Sequence, residues 1–162
     1  KIALIFNDFN KADVSADSGV YDAWRTLEII KELSVPRNYG IAIFVEFDPN
    51  WIVSHNWIAS YSNALNNYGY LPGFIGNTDF IPIRGIKFKN FVHAPQIVNN
   101  YNLIFWSIYP QVKSNIINWI PDTPFGLTRE QIGIWRTDTI GYDEVNVNVN
   151  YARDKSVMKY FW

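Results

Sequence analysis

Short apolar runs along the chain predict buried strands. Such runs occupy residues 2–6, 41–47, 71–75 and 103–108, and each has the length of a strand in a globular protein. Where a run is apolar at consecutive positions, both faces of the strand are expected to be covered. That pattern is typical of parallel strands in α/β folds, which carry helices on their faces.

Apolar residues at helical spacing separate the first three runs. The spacing predicts a helix over residues 20–33, with Ser18 as its N-cap. A second helix is predicted to include residues 57–68, with Asp48 as N-cap and Pro49 as its first residue. Strands and helices therefore alternate through the first half of the chain.

The period of the pattern changes to two in the last third. Residues 132–136 and 145–150 alternate as strands do, and the second segment alternates strictly between Val and Asn. Residues 112–120 predict a short helix, and 152–161 predict an amphipathic helix. Residues 80–96 contain two prolines and a glycine, so we expect a long loop there.

This order of elements predicts an α/β fold with right-handed crossovers and a mainly parallel sheet. About six strands are counted, whereas a complete eight-stranded barrel needs roughly 250 residues. We therefore expect an irregular or incomplete (β/α) TIM-like barrel with mainly parallel strands, as a single domain over residues 1–162. Because the chain starts on a strand, the first strand and helix of the barrel are expected to be missing, as in a piece of a longer protein with other domains.

Composition narrows the function classes. A hydrophobic fraction of 48% excludes disorder, and a net charge of -1 gives no reason to expect nucleic acid or an anionic membrane as partner. No apolar run is long enough to span a bilayer. The absence of cysteine and the presence of only two histidines argue against metal centres, and we expect no cofactor. With 7 Trp, 10 Tyr, 11 Phe and 18 Asn, the chain suits an uncharged polyhydroxy ligand, although an aromatic core with an amide-rich surface explains the same numbers.

Two carboxylates at the end of the second strand are the candidate catalytic residues. Residues two apart on a strand share a face, so Glu46 and Asp48 should point together into the barrel at the carboxyl end of the strand. Two confined carboxyls raise the pKa of one of them, which gives the acid and carboxylate that glycosidic cleavage uses. The alternative is that Asp48 only caps the next helix and Glu46 is a paired polar residue.

Three segments resemble the glycoside-hydrolase-like domains related to family 25 lysozymes. Val35-Pro36-Arg37-Asn38 resembles the family's "GVP" turn, and 41–48 resembles its strand ending in paired acids. Residues 67–76 resemble the "GY-x-x-G-x-YG" strand. Tyr21-Asp22-Ala23 resembles an Asp-Ala at the start of a helix in the family. Ile134-Trp135-Arg136 resembles the family's "WQY" strand, and the Val-Asn alternation of residues 145–150 resembles its "VDVN" strand.

The resemblance implies an irregular β/α barrel that cleaves the β-1,4 bond after N-acetylmuramic acid in bacterial peptidoglycan. Such a protein would be extracellular or associated with the cell wall, of bacterial or phage origin. The family's acidic pair falls on Glu46 and Asp48. The family order is Asp-x-Glu with Glu as the general acid, and the reversed order here leaves both assignments open.

Other positions depart from the family pattern or extend the predicted site. The family's first strand, with its own acidic residue, has no counterpart here unless Asn7-Asp8 stands in for it. Asn148 stands in place of a late Asp if residues 148–150 align with "DVN", and Arg136 replaces a Gln. The predicted substrate contacts near strand ends are Asn7, Asp8, Trp106, Tyr109, Trp135 and Asn148. Core packing is the alternative role for each aromatic residue among them.

Three functions are compatible with these residues. The first is a peptidoglycan-directed glycoside hydrolase, and the second is a non-catalytic module that binds glycan strands through the same cleft. The third is a barrel of unrelated chemistry, because a fold does not fix a function.

Overall fold

One curled sheet organises the described part of the protein. The computed structural model describes residues 1–15, 18–48, 51, 53–76, 103–108, 112, 118–123, 128–142 and 145–162. Within these ranges six strands pair in chain order: β1 (Leu4–Phe6), β2 (Ala42–Glu46), β3 (Leu71–Gly76), β4 (Ile104–Ser107), β5 (Ile132–Tyr142) and β6 (Val145–Ala152). The first five are parallel and β6 is antiparallel to β5. The mixed α/β class and the mainly parallel sheet are confirmed, in the form of a half-barrel.

In the described residues, three α-helices accompany the first strands: α1 (Lys11–Ser15), α2 (Val20–Glu32) and α3 (His55–Asn67). The helix α1 falls in a polar stretch for which no element is predicted. The Ser18 prediction is wrong by one residue, because Gly19 occupies the N-cap position of α2.

The predicted start of the second long helix is also wrong. Ser54 is the N-cap of α3, and its hydroxyl accepts hydrogen bonds from the backbone N–H groups of Asn56 and Trp57. Asp48 therefore does not cap α3. Its backbone carbonyl instead accepts a hydrogen bond from the Trp51 N–H at 3.0 Å.

The side chains of β2 divide between two cores. Ile43, Val45 and Phe47 are buried against α2 and α3 on the outer face of the sheet. Ala42 and Phe44 are buried on the opposite, concave face, in a second apolar cluster. Because the alternation is regular through these positions, it places Glu46 on the concave face, as the sequence predicts.

The chain after β6 crosses one end of the half-barrel. Residues 152–161 do not form the predicted α-helix, because Ala152 ends β6 and Lys155–Tyr160 form a 3-10 helix. The segment then reaches β1, where Trp162 and Ile2 exchange backbone hydrogen bonds at 2.7 and 3.1 Å. Since Ile2 precedes β1 and Ala152 pairs with Ile134, this crossing lies at the amino ends of the parallel strands.

Apolar side chains of this C-terminal segment cover the concave face at that end. Val157 is 1% exposed within the concave cluster, and the Phe161 ring lies 6.2 Å from the Phe44 ring. Among the described residues, the covered end of the half-barrel is thus the amino end, and the carboxyl ends of the strands surround the other end.

The remaining predicted elements have different outcomes. The predicted loop at 80–96 lies outside the described residues. Most of the short helix predicted at 112–120 does too, and its described residues 112 and 118–120 are not helical.

Candidate functional site

Strand register aligns two rows of side chains near the carboxyl ends of the strands. The lower row consists of Glu46, Ile75, Trp106 and Ile134, which are successive partners across β2 to β5. Its three apolar members belong to the concave cluster, so the row lies on the concave face. With strands about 4.8 Å apart, the Cα atoms of Glu46 and Trp106 are about 10 Å apart.

The upper row lies two residues further along and consists of Asp48, Ile108 and Arg136. Ser107 pairs with Trp135, so the next residues, Ile108 and Arg136, are neighbours. The Ile108 N–H continues the ladder by donating to the Gly76 carbonyl at 3.1 Å. This arrangement brings both predicted acids to one end of one face.

Glu46 is a half-buried carboxylate without a partner in the described part of the chain. It ends β2, and no hydrogen bond or ion pair joins its side chain to any residue in the described ranges. The alternative that Glu46 is a paired polar residue therefore does not apply within these ranges. A carboxylate in this position can accept a hydrogen bond from a ligand or exchange a proton with it.

Asp48 has a different environment from Glu46. It lies beyond the end of β2, is exposed, and takes part in an interaction of its own. Phe47 between the two acids is 2% exposed on the helix face, which keeps Glu46 and Asp48 on the opposite side of the chain. The two carboxyls thus share a side but differ in solvation.

Trp106 is a concave-face residue, as its predicted role in ligand contact requires. Its indole is 5% exposed and meets the Phe44 ring edge-on at 5.4 Å between centroids. The indole Nε1 is buried and has no hydrogen-bond partner among the residues that the structure describes. Trp106 therefore packs in the core and still offers an unused donor.

Arg136 is a functional candidate that the sequence patterns did not select. Its guanidinium carbon lies 5.7 Å from the centroid of the Trp106 ring, and its Nε is buried without an acceptor among described residues. The sequence shows Arg136 only as a departure from the family's Gln. The alternation in the predicted strand puts Arg136 on the same face as Ile134, but the pairing of β5 with β4 decides which face that is.

Of the two predicted contacts that follow β1, one lies on the side of the two rows and the other does not. Asn7 follows Ala3 and Ile5 in alternation on the concave side, and it continues the register in which Phe6 pairs with Val45. The predicted ligand contact at Asp8 is wrong. Its carboxylate forms an ion pair with Arg25 of α2 at 2.6 Å, which directs it to the helix layer and away from the two rows.

The predicted ligand contact at Trp135 is also wrong. It is fully buried, and its ring meets Trp119 at 5.8 Å, edge to face. Since Ile134 and Arg136 are on the concave face, Trp135 lies on the other one. A ligand in the concave face does not reach it, and core packing is its role.

The two other predicted contacts lie away from the rows or beyond the described ranges. Tyr109 is outside the described residues. Asn148 pairs with Thr139 in the β5–β6 hairpin, which continues to Tyr142 and extends roughly 20 Å past the end of β4. The structure therefore does not bring Asn148 to the two rows.

A buried acid on the opposite face has a structural role. Asp22 of α2 is 2% exposed and accepts a hydrogen bond from Trp57 Nε1 of α3 at 2.8 Å, while Arg25 lies 3.5 Å away. Burial raises the pKa of Asp22, and the hydrogen bond from Trp57 opposes that rise. The acid that resembles a family motif at this helix start thus joins α2 to α3 and is not part of the concave site.

The described residues offer no obvious place for a metal or a membrane span. Within the described ranges, no group of three or more His, Asp and Glu side chains is arranged to hold a metal ion. In the same ranges, no helix has the length and apolar character needed to cross a membrane.

Comparison with known proteins gives a structural relative and no family. No protein-family model matches the chain, and no curated protein matches it. A crystal structure of an uncharacterized protein from B. stearothermophilus matches 100% of this chain and 74% of its own, with a TM-score of 0.75 and 20% sequence identity. At this identity the likeness shows a shared fold, which agrees with the α/β half-barrel described above.

Proposed function

We propose that this protein is a peptidoglycan-directed glycoside hydrolase on an incomplete TIM-like barrel, and that Glu46 and Asp48 cleave β-1,4 glycosidic bonds. One observation carries the proposal. Among the described residues, Glu46 is a half-buried, unpartnered carboxylate on the concave face, at the end that the C-terminal segment leaves uncovered. In α/β barrels the carboxyl end of the strands is where active sites lie.

The proposed roles follow from the different solvation of the two acids. Glu46, the less exposed of the two, would donate a proton to the leaving oxygen of the glycosidic bond. Asp48, which is exposed, would either stabilise the positive charge of the transition state or activate water. This assignment agrees with the family's use of Glu as the general acid, despite the reversed order.

Conservative substitutions of the two acids, measured in an assay of fragment release from cell wall, test the proposal. The protein is incubated with purified Gram-positive cell wall, and new reducing ends are detected by mass spectrometry. Glu46→Gln and Asp48→Asn should each reduce release by about 100-fold or more, since general acid catalysis alone contributes about 10²–10⁴-fold. Asp8→Asn is the matched control, because Asp8 lies at the same sheet edge but pairs with Arg25; it should keep full release.

A second substrate separates the roles of the two acids. An aryl glycoside with a leaving group that is stable as an anion needs no proton donor. Glu46→Gln should therefore cleave the aryl glycoside at near the wild-type rate, whereas Asp48→Asn should be slow on both substrates. Absence of release by the unmodified protein, or full release by Glu46→Gln, would contradict the hydrolase proposal.

A non-catalytic glycan-binding module is the second candidate, and two observations favour it. Asp48 lies outside the strand and is exposed, and the position of the family's late acid is Asn148, on the projecting hairpin. In this case the protein should be retained on cell wall in a pull-down without releasing reducing ends. Either function acts on a wall polymer and thus implies an extracellular or wall-associated protein of bacterial or phage origin.

A further inference from the structure

Two hydrogen-bond donors on the concave face have no acceptor among the described residues. Trp106 is only 5% exposed, and its Nε1 is unpaired; the neighbouring Arg136 has a buried Nε that is also unpaired. No ion pair joins Arg136 to any residue that the structure describes. The two donors are adjacent, since the guanidinium lies over the Trp106 ring at 5.7 Å.

An unpaired donor in this position destabilises the fold. A buried polar group without a partner lowers the stability of the folded state, and a desolvated charge lowers it more. Contact with the indole face offsets only part of this loss for a partly exposed cation. An acceptor supplied by another molecule would remove the remaining cost.

The charges of the two rows limit what that acceptor can be. The rows contain three charged side chains, the acids Glu46 and Asp48 and the cation Arg136. Within the described part of this face, a dianion such as a phosphate monoester would be repelled by both acids and would meet a single cation. A monoanionic carboxylate fits better, because a guanidinium offers parallel N–H groups at the spacing of the two carboxylate oxygens.

We infer that Arg136 and the indole N–H of Trp106 form a subsite for a carboxylate carried by a sugar, so that the cleft prefers acidic over neutral glycans. The inference rests on the proposed function, because it concerns the same cleft. Arg136 is three strands from Glu46, roughly 15 Å between Cα atoms on a flat sheet and less on a curled one. The carboxylate is therefore bound at a ring other than the one at the Glu46 carboxyl.

Binding measurements on an uncleaved ligand test the subsite. Glu46→Gln is used as background, and affinities are measured by calorimetry for three probes of matched length. The first probe is a neutral chito-oligosaccharide, the second carries lactyl-ether carboxylates on the same backbone, and the third is a hexuronic acid oligosaccharide. The last two distinguish a carboxylate on an ether arm from one on the ring.

We expect at least one acidic probe to bind about tenfold or more tightly than the neutral one, as a hydrogen-bonded ion pair provides. Adding Arg136→Gln should remove this preference and change the affinity for the neutral probe by less than about twofold. Arg136→Lys is the matched control: it keeps the charge without the planar fork and should restore part of the preference. Trp106→Phe keeps the ring and should weaken acidic probes only.

The outcomes separate the inference from the proposed function. Equal affinity for acidic and neutral probes, or a preference that persists in Arg136→Gln, overturns the inference and leaves hydrolysis untouched. A preference that depends on Arg136 in a protein that releases no reducing ends supports the inference and overturns the hydrolase. Failure to bind any of the glycans overturns both. Unfolding midpoints of all variants show whether a loss of binding is a loss of fold.

Discussion

The two faces of the sheet differ in whether their polar side chains have hydrogen-bond or ion-pair partners. On the helix face, Asp22 accepts a hydrogen bond from Trp57 at 2.8 Å, and the Tyr61 hydroxyl donates to Thr26 at 3.2 Å. On the concave face, the Glu46 carboxylate has no hydrogen-bond or ion-pair partner among described residues, and the buried Nε of Arg136 has no acceptor there. Within the described ranges, the acid and the cation of the helix face are thus paired with each other, whereas Glu46 and Arg136 of the concave face are not joined by an ion pair.

This difference separates groups that stabilise the fold from groups that are available to a ligand. A paired buried group contributes to stability, whereas an unpaired one reduces it. Two neutral groups of α3, Ser62 Oγ and Asn66 Nδ2, also lack partners in the described part of the chain, so the contrast concerns charged groups and the indole N–H. Proteins accept such a loss of stability at sites where activity needs it.

The largest expected effect compares one tryptophan from each face. Trp57→Phe removes the donor to Asp22 and leaves a buried carboxyl short of a partner, which should cost about 3 kcal/mol. Trp106→Phe removes an N–H that bonds to nothing described, and should cost about 1 kcal/mol from the smaller ring. Urea unfolding of both variants measures the difference, and equal losses would contradict the contrast between the faces.

The next prediction concerns pH and the helix face. Burial raises the pKa of Asp22 in the folded protein, so the folded state holds this proton more tightly than the unfolded chain. The stabilisation is complete below the ordinary Asp pKa of about 4 and is lost as the pH rises through the raised value. The free energy of unfolding of the native protein should therefore fall with rising pH relative to Asp22→Asn.

The substitution isolates one group because asparagine does not titrate, while its amide oxygen can still accept from Trp57. The measurement is urea unfolding of both proteins at a series of pH values from about 3 upward. A tenfold difference in proton affinity between the folded and unfolded states changes the free energy of unfolding by about 1.4 kcal/mol. A constant difference between the two proteins at every pH would show that Asp22 titrates in the folded state as it does in the unfolded one.

Strand identity and strand face were predictable, because they depend on local patterns. The regular alternation of 41–48 assigns Glu46 to the concave face from sequence alone. The N-cap prediction at Asp48 was wrong because Asp-Pro satisfies the same local rule as Ser54, and only the folded chain selects between them. The C-terminal segment was misassigned because its hydrogen bonds reach Ile2, at the opposite end of the sequence.

The site was less predictable because register between strands is a long-range property. A bulge at Gly133 sets the face on which Trp135 lies. Ile132 pairs with Phe105 on the helix face and Ile134 with Trp106 on the concave face, so one extra residue changes the alternation there. The same bulge places Arg136 beside Trp106 of the neighbouring strand. The sequence pattern of a single strand does not predict such a contact.

The smallest expected effect concerns backbone strain in the helix layer, at a position with no proposed role in ligand binding. Ser34 follows α2 with a φ of 58°, a left-handed conformation that glycine adopts at helix ends. Its N–H donates to the Lys31 carbonyl at 3.0 Å, and the Val35 N–H donates to the Ile30 carbonyl at 3.2 Å. The turn is thus a normal helix end with a residue that is strained there.

Ser34→Gly should raise the free energy of unfolding by about 0.5–1 kcal/mol, because relief of the strain exceeds the added flexibility of the unfolded chain. Ser34→Ala is the matched control, since it removes the hydroxyl but keeps Cβ, and it should give no gain. Wall release and glycan affinity should be unchanged, because Ser34 lies at the end of the helix layer opposite the two rows. Equal stabilisation by glycine and alanine would assign the effect to the hydroxyl. A gain in stability with glycine alone, without loss of function, would show that backbone strain in the helix layer is separable from function. Removal of the Arg136 charge, in contrast, is expected to weaken the binding of acidic glycans.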